Sequence, residues 1–468
     1  MSKIKKNFVL EGIEVIDTST EGKAIAKHEN LVVFIDGAVP GDVVDVMVHR
    51  KKNSYAEGKA IKIVTPSPYR INPKCEHFGT CGGCKWQSLD YSRQLYFKQK
   101  YVSDAFTRIG KLEFDQISPI LGNKEPYYYR NKLEFSFSNK KWLTNEEIKN
   151  DVEVANKNAL GFHIPGLFDK ILDINNCYLQ AEPSNSIRLA IRAYAFEHNL
   201  TFFDIRNKAG FLRTVMIRTT STNQVMVVIS MFEDREEEMR DLCEYLKVKF
   251  PSITCLQYVF NPKGNDTIQD LDIKTYHGTD AIIEEMEGLK FNISAKSFYQ
   301  TNSDQAYELY KITRDYAQLD KDDVVYDLYT GTGTIANFIA GSCKKVVGIE
   351  YVEAAVKDAF KNSELNGITN TSFFAGDMKN VFTEDFVTRN GKPDVIITDP
   401  PRAGMAPEVV DVMLKLRPKR IVYVSCNPST QARDLALMEG VYKIIKVQPV
   451  DMFPQTAHVE NVALLELK

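Results

Sequence analysis

From about residue 291 onward, short apolar runs alternate with stretches long enough to form helices. Several runs are rich in β-branched residues, as is typical of strands buried on both faces of a parallel sheet. The clearest are VVYDL (324–328), VVGIE (346–350), VIIT (395–398) and RIVYV (420–424). This alternation predicts an α/β fold with a doubly wound parallel sheet over residues 291–468. Such sheets bind their ligands at the carboxyl ends of the strands.

The first 66 residues have a different pattern. Five short alternating runs between residues 5 and 66 are separated by Gly, Pro and Asn-Ser turn signals, which predicts a small β-barrel domain over residues 1–66. RNA binding is one interpretation of such a barrel, and a plain interaction module is the other. Residues 67–290 mix helical and strand patterns, with helices expected over 92–110 and 233–250.

Composition excludes some classes of protein. The net charge is −3 over 468 residues, so any surface for nucleic acid must be local. The amino-terminal residues lack an apolar signal segment, and no run of 18 apolar residues occurs. We therefore expect a cytoplasmic protein that does not bind a membrane. Eight cysteines are too few for a disulfide scaffold in a chain of this length.

A local basic excess occurs between residues 91 and 141, where ten Lys and Arg face five Asp and Glu. Within it, PYYYRNKLEFSFSNKKW (126–142) alternates as a strand and interleaves aromatic with basic residues. Bases stack on aromatic faces and phosphates pair with cations, so this composition suits single-stranded RNA, with Arg130 as a candidate contact. An ordinary amphipathic strand with a solvated face is the alternative.

A Gly-rich turn follows the strand VVYDL. Gly331 and Gly333 allow the backbone to approach a ligand closely, and a helix amino terminus comes next. Glu350 ends the following strand and could accept both hydroxyls of a ribose, while Asp377 ends a third strand. The turn also satisfies GxGxxA, so NAD and S-adenosylmethionine (SAM) both fit it. The downstream motifs favour SAM.

Those motifs are DPPRAGM (399–405) and VSCNPST (424–430). DPPR resembles the signature of amine methyltransferases, but Arg402 replaces the usual aromatic residue and can hydrogen-bond a carbonyl-rich base such as uracil. Adding the thiolate of Cys426 to pyrimidine C6 would make C5 nucleophilic toward a methyl donor. Glu460 in HVENVALL would then remove the C5 proton.

Four further cysteines are candidate metal ligands. Cys75, Cys81 and Cys84 cluster in one loop, and Cys177 follows far downstream. Thiolate sets of this kind bind zinc or an iron–sulfur cluster, and the spacing matches neither a zinc ribbon nor CxxxCxxC. The spacing alone leaves cluster, zinc and no metal open.

Together these residues resemble the RNA uracil-C5 methyltransferase family over nearly the whole chain, and most closely its bacterial 23S ribosomal RNA members with a TRAM barrel and a [4Fe–4S] cluster. The resemblance implies a Rossmann-like class I methyltransferase domain over 291–468, a TRAM domain over 1–66, and a mixed α+β domain over 67–290 that carries the cluster. It also implies that segment 92–125 packs on the catalytic domain.

By the same resemblance, Gln300, Tyr329, Glu350 and Asp399 match SAM-binding positions, and Cys426 and Glu460 match the nucleophile and the base. The four clustered cysteines Cys75, Cys81, Cys84 and Cys177 match the cluster ligands. We expect a monomer that methylates a flipped uridine of 23S rRNA at C5 and binds no DNA. Transfer RNA or a second ribosomal uridine are alternative targets. A non-enzymatic RNA-binding iron–sulfur protein and an NAD-dependent oxidoreductase are alternative classes.

Overall fold

The computed structural model describes residues 8–144, 147–148 and 157–468. Its first unit is a closed five-stranded barrel, as the alternating runs predict. Alternate residues of each strand point inward, and the small and branched side chains among them fill the interior. The strands are β1 (Phe8–Thr18), β2 (Ala24–His28), β3 (Leu31–Asp36), β4 (Val43–Lys51) and β5 (Tyr55–Thr65).

The central region contains a seven-stranded sheet in the order β12-β11-β10-β9-β6-β7-β8. All neighbours are antiparallel except β10 and β11. Two amphipathic helices cover one face through an apolar core. The elements are β6 (Lys132–Ser138), β7 (Ala159–Ile164), β8 (Leu167–Asp173), α2 (Ser184–Glu197), β9 (Leu212–Thr219), β10 (Val225–Met231), α3 (Glu236–Lys249), β11 (Ile253–Phe260) and β12 (Ile273–Gly278).

The carboxy-terminal region has the doubly wound sheet that the alternation predicts, in the order β17-β16-β15-β18-β19-β21-β20. The first five strands of that order are parallel, and β21 enters antiparallel between β19 and β20. The strands are β15 (Val324–Leu328), β16 (Lys345–Glu350), β17 (Thr371–Ala375), β18 (Val395–Thr398), β19 (Arg420–Ser425), β20 (Tyr442–Val450) and β21 (Glu460–Leu467).

Helices connect these strands, and apolar cores form on both faces of the sheet. A hairpin of β13 (Ala281–Met286) and β14 (Leu289–Ser294) packs into one of these cores, so a division of the chain at residue 290 passes through that hairpin. The helices are α4 (Ser303–Ala317), α5 (Thr334–Ala340), α6 (Glu353–Leu365), α7 (Met378–Val381), α8 (Glu384–Asn390), α9 (Pro407–Leu416) and α10 (Pro428–Met438).

Segment 92–125 lies against the carboxy-terminal sheet. It contains α1 (Tyr91–Asp104), a π-helical turn (Ala105–Gly110), and an extended stretch that forms bridges with β20. The buried ammonium of Lys98 lies 2.5 Å from the carboxylate of Asp451, directly after β20. Within the described ranges, no helix combines the length and apolar character that crossing a membrane requires.

The strand expected over 126–142 is shorter than predicted, because β6 covers only Lys132–Ser138. Tyr128 adopts a left-handed conformation (φ 57°), and its backbone N–H donates to the carbonyl of Tyr178. The residues before β6 therefore leave the sheet and bind the segment that contains Cys177.

Candidate active site

The loops at the carboxyl ends of the parallel strands enclose a cavity of about 1200 Å³. Most of the residues that the sequence marks as candidates line it, although they are spread over 160 positions of the chain. They are Gln300, Tyr329, Gly331, Glu350, Asp377, Asp399, Arg402, Cys426 and Glu460.

The Gly-rich turn is bound to the end of the next strand. The Glu350 carboxylate accepts hydrogen bonds from the backbone N–H of Gly331 (3.1 Å) and of Val352 (2.9 Å). These bonds hold the carboxylate at the mouth of the turn, where a ribose would meet it. Asp377 caps the short helix α7, and its side chain accepts from the N–H of Lys379.

Gly333 does not line the cavity but serves the packing beneath it. It adopts φ 73°, and a Cβ at this position would lie 2.8 Å from the Cβ of Ala359 on α6. Any larger residue would push the start of α5 away from α6. Gly333 therefore fixes the position of the turn.

Hydrogen bonds link the DPPR and SCNPST motifs to each other. The side-chain amide of Asn427 donates to the backbone carbonyl of Arg402 (3.0 Å), and the Thr430 hydroxyl donates to the same oxygen (3.2 Å). Asn427 also caps α10 by accepting from the N–H of Ser429. The exposed Arg402 and the half-buried Cys426 are thus held at adjoining strand ends.

The insertion of β21 between β19 and β20 places the carboxylate of Glu460 near the thiol of Cys426. Asn461 on β21 pairs with Ser425 on β19, so Glu460 begins its strand beside the position where Cys426 follows β19. Because β21 runs antiparallel to its neighbour, its amino end meets the carboxyl ends of the parallel strands. The sequence predicts both residues but not the strand order that joins them.

Burial dominates the electrostatics of this cavity. It raises the pKa of Glu460 to about 8, and the nearby Asp399 raises it further while Arg402 lowers it. The pKa of Asp399 is raised to about 7, mainly by burial. Burial also raises the pKa of the Cys426 thiol to about 11, with additional contributions from Glu460 and Asp399. Strongly perturbed groups that share a cleft are typical of catalytic sites.

Among the polar residues that line the cavity and that the sequence interpretation missed are Asp327 and Tyr310. Asp327 lies within β15, accepts a hydrogen bond from Thr330 (2.5 Å), and has a pKa raised to about 7 by burial. A carboxylate inside the apolar run VVYDL was an available signal for it. Tyr310 lies on α4, where nothing in the helical pattern marks it as part of a site.

The four clustered cysteines also share a cavity, which has a volume of about 180 Å³. Arg130 lines this cavity and not the catalytic one. Burial raises the pKa of all four thiols, and the backbone N–H of Gly83 donates to the Cys81 sulfur (3.4 Å). In the part of the chain that the structure describes, no three His, Cys, Asp or Glu side chains are grouped tightly enough for a single metal ion. The lining cysteines are Cys75, Cys81, Cys84 and Cys177.

Comparison with known proteins agrees with this architecture. Residues 214–468 match the family model described as tRNA (uracil-5-)-methyltransferase, and residues 12–61 match the TRAM domain. An RNA methyltransferase of Bacteroides thetaiotaomicron is 57% identical over 96% of this chain and 100% of its own length. A second RNA methyltransferase, from Porphyromonas gingivalis, is 54% identical over 97% of this chain and 99% of its own.

Among solved structures, the tRNA (uracil-54, C5)-methyltransferase of Pyrococcus abyssi in complex with S-adenosyl-L-homocysteine superimposes with a TM-score of 0.74. It shares 26% identity and covers 97% of this chain and 100% of its own. The fold and the cavity define a methyltransferase with an amino-terminal TRAM barrel. The chain belongs to the tRNA (uracil-5-)-methyltransferase family, an RNA uracil-C5 methyltransferase family. This membership supports SAM as cofactor and RNA as substrate, and it disfavours the oxidoreductase and the non-enzymatic alternatives.

Proposed function

We propose that this protein is a cytoplasmic, monomeric enzyme that methylates C5 of a uridine in 23S rRNA. The observation that carries the proposal is the placement of a thiol and a buried carboxylate of raised pKa in the cavity that also contains the Gly-rich turn. We assign catalysis to residues 291–468, RNA binding to the barrel over 1–66, and the cysteine site to the domain over 67–290.

In the proposed reaction the Cys426 thiolate adds to C6 of the uracil, and the C5–C6 π electrons move toward the C4 carbonyl to form an enolate. C5 then attacks the methyl group that SAM supplies, and the sulfonium keeps the electrons of the broken S–CH₃ bond. Glu460 accepts the C5 proton, and the returning electron pair expels the Cys426 thiolate. Arg402 favours the ionised forms of both groups, because its positive charge lowers the pKa of each.

The residues around the Gly-rich turn are assigned to SAM. Glu350 would hold the ribose hydroxyls, and Gly331 would let the backbone approach the ligand. Gly333 supports the turn from behind, as its packing against α6 indicates. The remaining assigned contacts are Gln300, Tyr329, Asp377 and Asp399, all of which line the cavity.

We further propose a [4Fe–4S] cluster on Cys75, Cys81, Cys84 and Cys177. Four thiols that line one cavity suit this cofactor chemically, and each thiolate of such a cluster binds a different iron. The cluster would order the RNA-binding region and would not take part in redox chemistry.

The target uridine must leave its stack before C5 and C6 can reach the cavity, so we propose base flipping. Arg402, exposed at the cavity rim, would hold the flipped uracil, and Arg130 would bind RNA near the cysteine site. A uridine of transfer RNA is the second candidate target, which the Pyrococcus abyssi structure favours through its own named substrate.

Incubation of the protein with labelled SAM and separate pools of unmodified 23S rRNA and tRNA tests the proposal. We expect label in 5-methyluridine of 23S rRNA, at one mapped position. The Cys426→Ala variant should transfer no methyl group, because no other thiol lines the described cavity. Label in tRNA alone would replace the ribosomal target with the second candidate, and full activity of Cys426→Ala would refute the mechanism.

A further inference from the structure

Beside the cysteine cavity, one lysine is surrounded by three tyrosines. The Lys74 ammonium lies 5.0 Å from the ring centre of Tyr127, 4.6 Å from that of Tyr128 and 5.0 Å from that of Tyr178. Each distance is short enough for a cation–π interaction. We call these four residues the tyrosine platform.

The platform joins three segments that are distant in the sequence, around Lys74, Tyr127–Tyr128 and Tyr178. Lys74 precedes Cys75 and Tyr178 follows Cys177, so these two segments also reach the cysteine cavity. The Tyr128 N–H donates to the Tyr178 carbonyl (2.8 Å), and the two rings meet edge to face. The backbone around Tyr128 is therefore fixed before any ligand binds.

Tyr128 is nevertheless open to solvent, with 46% of its surface exposed. Lys74 lies over one face of its ring, and the exposed part of the ring is accessible to a planar ligand. Lys74 is itself exposed and forms no ion pair with any acid in the described part of the chain. Of the nearest acids, Glu76 pairs with His77 (3.2 Å), and Glu125 is exposed to solvent.

The next two residues of the chain connect the platform to the catalytic cavity. The Tyr129 hydroxyl donates to the carbonyl of Pro454 (3.0 Å), and the Arg130 guanidinium lies 5.5 Å from the ring centre of Phe453. Phe453 lines the catalytic cavity, and the loop that contains it leads to Glu460. A single strand of RNA with one base in the cavity would therefore pass Arg130 and reach the platform.

We propose that the tyrosine platform binds an unpaired nucleotide that flanks the target uridine, an inference that rests on the proposed function. The flanking base stacks on the free face of Tyr128, and the Lys74 ammonium contacts a phosphate. An exposed aromatic face with an adjacent unpaired cation is the arrangement that single-stranded nucleic acids require. The platform thus positions the strand beside the catalytic cavity without reading its sequence.

The test measures binding of a fluorescein-labelled oligouridylate of about 12 nucleotides to the full-length holoprotein by fluorescence anisotropy. Tyr128→Ala should raise the Kd by about tenfold, whereas Tyr128→Phe should leave it unchanged because phenylalanine can still stack. Lys74→Ala should weaken binding and reduce the slope of log K against log salt concentration by about 0.7, the loss of one phosphate contact.

The matched control is the Lys249–Tyr245 pair on α3, which has a similar cation–π distance of 5.1 Å and lines neither cavity. Tyr245→Ala and Lys249→Ala should bind the RNA like the unaltered protein. SAM affinity, measured by calorimetry, should be unchanged in every variant and so reports correct folding.

The outcomes separate this inference from the proposed function. If Tyr128→Ala binds the RNA normally while the unaltered protein makes 5-methyluridine, the platform is refuted and the function stands. If the unaltered protein makes no 5-methyluridine but Tyr128→Ala still loses binding, the function is refuted and the platform stands. A loss in Tyr128→Phe equal to that in Tyr128→Ala also refutes stacking.

Discussion

The carboxyl group of Glu460 is buried at a position where its ionised form is disfavoured. It is 5% exposed, and burial together with Asp399 raises its pKa to about 8. A base of this kind accepts a proton readily once ionised, because the protonated form is the one its surroundings favour. The same carboxyl in solvent would be a far weaker base.

Replacing Glu460 with Gln should therefore block the last step of the reaction while leaving the first steps intact. We expect kcat to fall by about 10²- to 10⁴-fold and the covalent protein–RNA adduct to accumulate, visible as a slower band on a denaturing gel. Glu466→Gln, on the same strand but partly exposed, is the control and should behave like the unaltered enzyme. Normal turnover by Glu460→Gln would assign proton removal to another group.

The buried carboxyls also predict how the stability of the ligand-free protein depends on pH. The pKa values of Asp327 and Asp399 are raised to about 7 and that of Glu460 to about 8, from ordinary values near 4. Raised pKa values favour the folded state while these groups stay protonated. This stabilisation is complete below about pH 4 and is lost as the pH rises through 7 to 8.

Each of the three groups should lower the free energy of unfolding by about 1.4 kcal/mol per pH unit between about pH 5 and pH 7, so we expect a total fall of several kcal/mol, as measured by urea denaturation. Asp399→Asn removes one of the three groups, so its stability should decline less steeply over the same interval. An equal slope in both proteins would show that Asp399 is already ionised when folded.

The sequence indicated candidate residues from the chemistry of their side chains, but it did not indicate the residues that only packing brings to the cavity. Cys426, Arg402 and Glu460 carry their reactivity in residue type and motif, so they were recognisable before any fold was known. Asp327 and Tyr310 were not, because their importance comes from packing against a cavity whose walls derive from separate elements. Gly333 was predicted to allow ligand approach, and the structure adds a packing role that the motif did not indicate, because a Cβ there would lie 2.8 Å from the Cβ of Ala359 and 3.1 Å from the ring of Phe373.

Among the elements, the loop between β20 and β21 binds two segments that are distant from it in the sequence. The carbonyl of Gln455 accepts from the N–H groups of Lys85 and Trp86, which directly follow Cys84. Gln455 also forms two hydrogen bonds with the side chain of Gln94 on α1: Gln94 Nε2 donates to Gln455 Oε1 (3.0 Å), and the backbone N–H of Gln455 donates to Gln94 Oε1 (2.9 Å). The loop that leads to the catalytic carboxylate is thus bound to both the cysteine loop and α1.

Gln94→Ala should release this loop. Since the bonds are buried, we expect the free energy of unfolding to fall by about 1–3 kcal/mol, and kcat to fall with little change in KM for SAM. Gln448→Ala is the control, because that side chain donates to the carbonyl of Pro119 at an exposed site. A rise in KM for SAM with normal kcat would show that the loop supports cofactor binding instead.

The sequence predicted the helices well, because the local pattern of apolar and polar residues determines where they form. The helix predicted over 92–110 is confirmed, although its last turn is π-helical, and so is the helix predicted over 233–250, which forms as α3. The strand expected over 126–142 was too long because hydrogen bonds to the distant Cys177 segment draw residues 128–130 out of the sheet. Alternation of residue types contains no information about such a partner.

At the scale of the whole molecule, the loop that contains Cys75, Cys81 and Cys84 lies where the barrel, the central region and the carboxy-terminal region meet. Trp86, next to the cysteine loop, donates through its indole N–H to the carbonyl of Gly22 in the barrel (3.2 Å). Its neighbours bind the loop of the catalytic domain at Gln455. A cofactor that orders the cysteine loop would therefore stabilise the contacts of the barrel and the catalytic domain at once.

Cys81→Ser should consequently lose iron and unfold at a temperature several degrees lower, while its affinity for SAM stays unchanged. Iron analysis, thermal unfolding and calorimetry measure these three quantities. Cys426→Ala is the matched cysteine control and should keep its iron. An obligatory reduction of the cluster during turnover would contradict the ordering role.

The position of β21 in the sheet has a consequence for protein synthesis. β19, with the nucleophile behind it, leaves the ribosome before β20, and β21 must then enter between these two earlier strands. A nascent chain thus contains Cys426 before Glu460 is added. In the proposed mechanism the thiol then lacks its base, so methylation requires β21 to have entered the sheet between β19 and β20.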